Sequence, residues 1–156
     1  MYSIRPIQPA DHAAAAQVCR TAFTASIAPT LGTQGITTFH GIATADAFAT
    51  RLQQDNAAWV AEQTGQLVGV IELRAGTHLA MLFVEPALQG LGIGRALLQA
   101  LLPSVRSDTL TVSASLTSVD AYLRYGFTRA GDIAESHGLV YQPMLLSMTG
   151  PRTAAP

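Results

Sequence analysis

The feature that most constrains this chain is the segment Val84-Glu85-Pro86-Ala87-Leu88-Gln89-Gly90-Leu91-Gly92-Ile93-Gly94-Arg95, in which three glycines alternate with other residues. An unbroken apolar run precedes it, His78-Leu79-Ala80-Met81-Leu82-Phe83-Val84, the pattern of a strand buried on both faces. Ile93, Ala96, Leu97, Ala100 and Leu101 follow at helical spacing, and Pro103 marks the exit. A buried strand must therefore turn tightly into an amphipathic helix. Glycines permit such a turn, and without a Cβ they let backbone N–H groups approach an anion. The helix N-terminus adds partial positive charge, so a phosphate or pyrophosphate is the natural guest.

Two other phosphate loops are excluded. The nucleotide P-loop ends in Gly-Lys-Ser/Thr, and this chain has no lysine. The dinucleotide fingerprint needs a third glycine where Arg95 stands. The nine basic residues are all arginine, scattered along a chain of net charge -1, which argues against nucleic acid or an anionic membrane as partner. Cys19 is the single cysteine and no Cys/His cluster has metal-site spacing, so neither a disulfide nor a metal is expected. The lone cysteine predicts a reducing, cytoplasmic setting; the N-terminus lacks the apolar core of a signal peptide, and no apolar run reaches the roughly 18 residues of a membrane span, which predicts a soluble protein. Charged residues make up 12% of the chain, about half of the roughly 25% usual for soluble domains, and hydrophobic residues 49%. So sparse a charged exterior predicts a homodimer that covers an apolar patch.

The rest of the 156 residues reads as one domain over 1–148 with a disordered tail, 149–156. Tyr2 to Ile7 alternate as a strand, and Asp11 is placed to cap a helix with Ala15, Val18, Cys19, Ala22 and Phe23 on one face. Ala25 to Thr44, rich in Gly, Thr and Pro, predicts a long loop with at most short helical turns, a length usually reserved for binding. A second helix spans about Asp46 to Gln54. Trp59–Glu62 and Leu67–Leu73 form a hairpin about Thr64-Gly65, and the strand His78–Val84 makes the sheet's centre. Beyond the glycine segment come a strand at Leu110–Ala114, a helix with Val119, Tyr122 and Leu123 that ends at Gly126, and two strands near Phe127–Ile133 and Val140–Met148. The order β-α-α-β-β-β-α-β-α-β-β predicts an α/β sheet with helices on both faces.

The glycine segment resembles motif A of the GNAT superfamily of N-acyltransferases, Gln/Arg-x-x-Gly-x-Gly/Ala after a strand ending in valine: Gln89, Gly92 and Gly94 fill the core and Val84 ends the strand. Val112-Ser113-Ala114-Ser115 and then Tyr122-Leu123-Arg124-Tyr125-Gly126-Phe127 resemble motif B, in the right order and separation. The resemblance implies a mixed, mostly antiparallel sheet of about seven strands, splayed between Leu79–Val84 and Leu110–Ala114, with about four helices. It implies acetyl-CoA as co-substrate and direct attack by an amine, with no enzyme nucleophile, so Cys19 reads as core. Leu82, Phe83, Val84, Gln89, Gly90, Leu91, Gly92, Ile93, Gly94, Arg95, Ser115 and Tyr122 would hold the cofactor, and an N–H near Val84 would polarise the thioester carbonyl. Ser115 departs from the pattern, since many members carry asparagine there.

Tyr122 matches the tyrosine that protonates the leaving thiolate in many relatives; its phenol remains protonated at neutral pH. Tyr125 is the lesser candidate. His78 stands where several relatives carry a glutamate base, six residues before Val84, an even separation that shares a sheet face if no bulge intervenes. Glu72 is the second candidate base, acting through water, though it could equally pair with Arg74. The acceptor pocket is expected from Ala25–Ala43 and Glu135–Tyr141, with Phe39, His40, His137 and Tyr141 its first residues to inspect. The few acids there disfavour a polycation and leave a small amine, an amino acid or a peptide N-terminus. A non-catalytic acyl-CoA-binding sensor or scaffold is the competing reading, and a plain structural domain the third.

Overall fold

The computed structural model describes residues 1–149; the rest of the expected tail lies outside the described residues. The chain order is β1 (Ser3–Pro6), α1 (His12–Ser26), α2 (Thr33–Ile42), α3 (Ala45–Leu52), β2 (Asn56–Gln63), β3 (Gln66–Arg74), β4 (His78–Val84), α4 (Ile93–Leu101), β5 (Thr109–Ser115), α5 (Val119–Arg124), β6 (Thr128–Arg129), β7 (Ala134–Ser136) and β8 (Leu139–Ser147). One mixed sheet runs β1-β2-β3-β4-β5-β8-β6, with β7 also on β8. Every ladder is antiparallel except β4 with β5.

Each face of the sheet buries its own core, because the apolar stripes of α1 and α4 need opposite sides. On one side Ala15, Cys19, Phe23, Phe39 and Phe48 of α1, α2 and α3 cover Val60, Val70 and Met81. On the other, Ile93, Leu97 and Leu101 of α4, with Val119 and Tyr122 of α5, cover Ile71, Leu79, Leu110 and Val112. At Gly69 α4 packs tightly on β3: a Cβ there would stand 2.9 Å from Leu97 and 3.2 Å from Ile93.

Within the expected short loop Gln63–Gln66, Thr64 (φ 50°) and Gly65 (φ 79°) make a two-residue hairpin turn, closed by Gln63↔Gln66. Gly126 (φ 105°) ends α5 as expected: Phe127 N–H donates to Tyr122 O and Gly126 N–H to Leu123 O, the paired bonds of a Schellman cap.

Four expectations are corrected. Ala25–Thr44 is not mainly loop, since α2 occupies Thr33–Ile42. Asp11 precedes α1 without capping it; its carboxylate accepts from Gln8 N–H at 2.8 Å and pairs with Arg5. The strand foreseen near Phe127–Ile133 is two short ones, β6 and β7. The break falls opposite Pro143 of β8, which has no N–H for a ladder. Finally, β4 carries a bulge: Leu73 faces Leu79 and Glu72 faces Met81, so Ala80 is unopposed. The side-chain alternation reverses there, sending Leu79 to the α4 core and Met81, two residues on, to the α1 core. His78 and Val84 therefore lie on opposite faces.

Candidate active site

The sheet parts between β4 and β5. They pair only at His78↔Thr111 and Leu79↔Val112. Past that point β4 follows β3 to Val84, and β5 follows β8 to Ser115. Backbone groups of β4 beyond Leu79 that face the gap have no strand there to bond, and such groups are obligatory hydrogen-bonders open to a ligand.

At the mouth of the gap the chain turns through Gly90 (φ 81°) and Gly92 (φ 90°), the latter the residue before α4. A Cβ on Gly90 would meet nothing within 4 Å, and one on Gly92 only the Tyr2 hydroxyl at 3.9 Å. The backbone angle thus demands glycine at both, while the space in front stays clear. Ala96 makes the first helical bond, to Gly92 O at 3.0 Å, leaving the preceding amides as the free donors of a helix N-terminus. Gln89 fastens the turn by donating from its side-chain amide to Val84 O at 3.1 Å. Gly94 serves a different end: a Cβ there would collide with the Tyr125 hydroxyl. The Arg95 guanidinium caps the Tyr125 ring at 5.2 Å and donates to Arg124 O at 3.1 Å.

A cleft of about 670 Å³ runs from this turn into the gap. Leu82, Phe83, Val84, Gln89, Gly90, Gly92, Ile93, Gly94, Arg95 and Tyr122 line it. Leu91 does not line it and is 65% exposed. Ser115 lies in the adjoining cleft, its hydroxyl 2.7 Å from that of Ser118. Ser26 and Ile27, from the segment expected to build the acceptor pocket, also line the first cleft; Ala22 of α1, Thr117 and Ser118 before α5, and Asp120 and Arg124 within it line it too and were missed. The serines and threonine among residues 113–118 were the one available signal for the residues before α5.

The second cleft, about 430 Å³, holds His78, Phe39, His137 and Tyr141. His40 is outside it, its ring edge-on to Phe23. Ser136, within the expected Glu135–Tyr141 segment, lines it too, and Arg74 lines it without having been foreseen. The two clefts share Ile27, Leu82, Phe83, Ser118 and Tyr122, so Tyr122 stands where they join.

Tyr122 is 6% exposed, with the Tyr125 and Phe127 rings edge-on to it at 5.9 and 5.2 Å. Burial first, then Tyr125, raises its pKa above the ordinary phenol value, so it is protonated at neutral pH. His78 Nδ1 lies 2.7 Å from Thr111 Oγ1, whose hydroxyl donates to Thr77 O at 3.3 Å. When the Thr111 hydroxyl donates to Thr77 O, Nδ1 is the donor to Thr111 and Nε2 carries the free lone pair; the tautomer sets which way this bond runs. Burial, then the positive charge of Arg74, pushes the His78 pKa down to about 4. The imidazole is therefore neutral but weakly basic, not poised near 6.5. Glu72 is fully buried on the α3 side, accepting from Arg51 Nε at 3.0 Å and Asn56 Nδ2 at 2.7 Å, and lines neither cleft. Its partner is Arg51, not Arg74. Cys19 is sealed against Met81, and burial, with the charge of Glu72 second, pushes its thiol up to about 12.

A mixed sheet split between two central strands, with a glycine turn aiming helix amides into the split, defines an acyltransferase of the kind that uses a nucleotide-bearing thioester. The model of the acetyltransferase (GNAT) domain matches residues 27–148, and the chain belongs to that family. No curated protein matches it. Among solved structures, a GCN5-related N-acetyltransferase from Rhodopseudomonas palustris superposes with TM-score 0.81 at 23% identity, covering 94% of this chain and 95% of that one. PaiA N-acetyltransferase from Thermoplasma acidophilum, solved with coenzyme A, gives 0.77 at 17% over 94% and 99%. YjaB from Escherichia coli gives 0.71 at 23% over 96% and 99%. The eight-stranded sheet is thus the fold of this family, whose donor is acetyl-CoA. Among the described residues no group of His, Cys, Asp and Glu could hold a metal ion, and no helix is long and apolar enough to cross a membrane.

Proposed function

We propose that the protein transfers an acetyl group from acetyl-CoA to a primary amine of a small molecule or peptide by direct attack, with Tyr122 as general acid. The observation that carries this reading is the meeting of the two clefts at Tyr122, between the parted strands. The open amides at Gly92–Arg95 and the clear space before Gly90 and Gly92 fit a pyrophosphate, and the unpaired edge of β4 fits the amide-bearing arm behind it. Acetyl-CoA supplies the activated acyl group. The second cleft receives the amine, and Tyr122 holds a proton for the departing sulfur at its hydroxyl. A raised phenol pKa does not forbid that transfer, because a thiol in the same buried setting is raised as well, as Cys19 illustrates.

His78 is the base in this proposal, neutral and with Nε2 free; its low pKa makes it a relay that passes the proton on to water. Glu72, sealed against Arg51, stays structural. We expect Tyr122→Phe to lower kcat by roughly 10²- to 10⁴-fold, the usual worth of a general acid, while the Kd for coenzyme A moves little. Equal kcat in the variant would move the acid elsewhere. Coenzyme A binding without thiol release across a broad amine panel would favour the sensor module. A cytoplasmic homodimer belongs to the same reading, supported by the buried lone cysteine and the 12% charge; a monomer in sedimentation at micromolar concentration would remove the dimer.

A further inference from the structure

The second cleft has a charge pattern that acetyl transfer alone does not require. An amine acceptor arrives from water as a cation, yet no aspartate or glutamate lines the cleft. The one residue of fixed charge on its wall is Arg74, at the end of β3 opposite His78. The carboxylates that form ion pairs are committed to other arginines: Asp11 and Glu62 to Arg5, Glu72 to Arg51, Asp55 to Arg106. Glu72, two residues earlier on the same face of β3, is thus held by α3 and does not neutralise Arg74. Among the described residues the Arg74 guanidinium has neither hydrogen bond nor ion pair.

Much of the remaining wall is apolar, with Phe39, Leu31, Ile42 and Leu139 prominent in it. Arg74 is exposed at the edge of this largely apolar pocket, where a cation repels a second cation and attracts an anion. A guanidinium presents a planar fork of donors that matches a carboxylate two bonds at a time. An acceptor that carries its own carboxylate would satisfy Arg74 and leave its amine free to approach Tyr122.

Resting on the acetyltransferase reading above, we propose that the acceptor is an amine that also bears a carboxylate, held by Arg74, with an apolar body against Phe39 and Leu31: a hydrophobic amino acid, free or ending a short peptide. The polycations and simple alkylamines open to many acetyltransferases lack the carboxylate that would pair with Arg74.

The test compares each carboxylated amine with its carboxamide, for leucine, phenylalanine and their Gly-X dipeptides, in the full chain. Thiol release from acetyl-CoA should show kcat/KM at least tenfold higher for the carboxylate in one of the two series, and which series leads tells free amino acid from peptide. Arg74→Gln should bring that ratio to near one, and Arg74→Lys should restore part of it, with coenzyme A affinity reporting that the variants are folded. A ratio near one in the native protein, or a ratio that survives Arg74→Gln, overturns the proposal. Calorimetry of the same pairs on the coenzyme A complex separates the two failures. Carboxylate-dependent binding without thiol release sinks the transfer reading alone, and binding indifferent to the carboxylate sinks this one alone.

Discussion

At the scale of single residues, the glycines of the strand-to-helix turn do different jobs, and a substitution separates them. At Gly92 the positive φ penalises any side chain, and the space ahead is the proposed anion site. Gly92→Glu should raise the coenzyme A Kd by a hundredfold or more, since strain, bulk and a negative charge act together there. Unchanged affinity by calorimetry would remove the cradle. Gly94→Ala acts through Tyr125 instead, because the new methyl must displace that hydroxyl, so its effect should pass to α5 and Tyr122. The roles of Gly90 and Gly92 were readable in the sequence because a positive φ is a local demand that few residues besides glycine meet, whereas the contact of Gly94 with Tyr125 was not. Arg74 was not readable, since an arginine beside a turn resembles any solvated strand end until its possible partners are seen to be taken.

At the scale of elements, α2 is the piece that sequence reasoning lost, and the reason is physical. Gly35, Thr37 and Thr38 are weak helix formers, so local propensity argued for loop. Tertiary contacts decide otherwise. Phe39 stacks on Phe23 with ring centroids 4.0 Å apart, Thr38 Oγ1 donates to His137 O at 2.7 Å, and Gly35 lies directly against the backbone of Gly138. Residues a hundred positions away hold this helix over the second cleft, and no window of sequence shows that. The bulge at Ala80 escaped for a like reason, alanine being no bulge signal, and with it went the shared face of His78 and Val84. Two alanine substitutions weigh propensity against packing within α2. Gly41 has open space where its Cβ would be, so Gly41→Ala should stabilise by about 0.5–1 kcal/mol. Gly35→Ala gains the same propensity but drives a methyl into Gly138, an overpacking cost of about 1–3 kcal/mol, so it should destabilise and raise KM for the acceptor. Urea unfolding of both variants checks the signs; Gly35→Ala as stable as Gly41→Ala would mean that α2 does not bear on the β7–β8 turn.

Across the whole molecule, a sheet that is opened at its centre keeps ionisable groups in places that a closed sheet would fill with aliphatic side chains, and stability should record this as a function of pH. His78, at the root of the split, has its pKa lowered from 6.5 to about 4. Between those values the unfolded chain binds the proton that the folded chain refuses, so stability rises with pH through that window and is lost as pH falls from about 6.5 toward 4. Cys19 and Tyr122 act with the opposite sign. Their folded pKa values are raised, so the unfolded chain gives up protons first, and stability falls as pH climbs past 9 for Cys19 and 10 for Tyr122. Asp11, held low by Arg5, stabilises the fold above its ordinary value of 3.8 and loses that contribution as pH falls below it, under the His78 window. Unfolding free energy should therefore form a plateau from about pH 6.5 to 9 with two falling arms. His78→Gln, which keeps a side chain able to bond Thr111 but cannot take a proton, should flatten the acid arm above pH 4 and leave the alkaline arm in place. An acid arm that persists unchanged in this variant would mean that the root of the split is wetter than the described structure makes it, and that His78 titrates freely beside the acceptor.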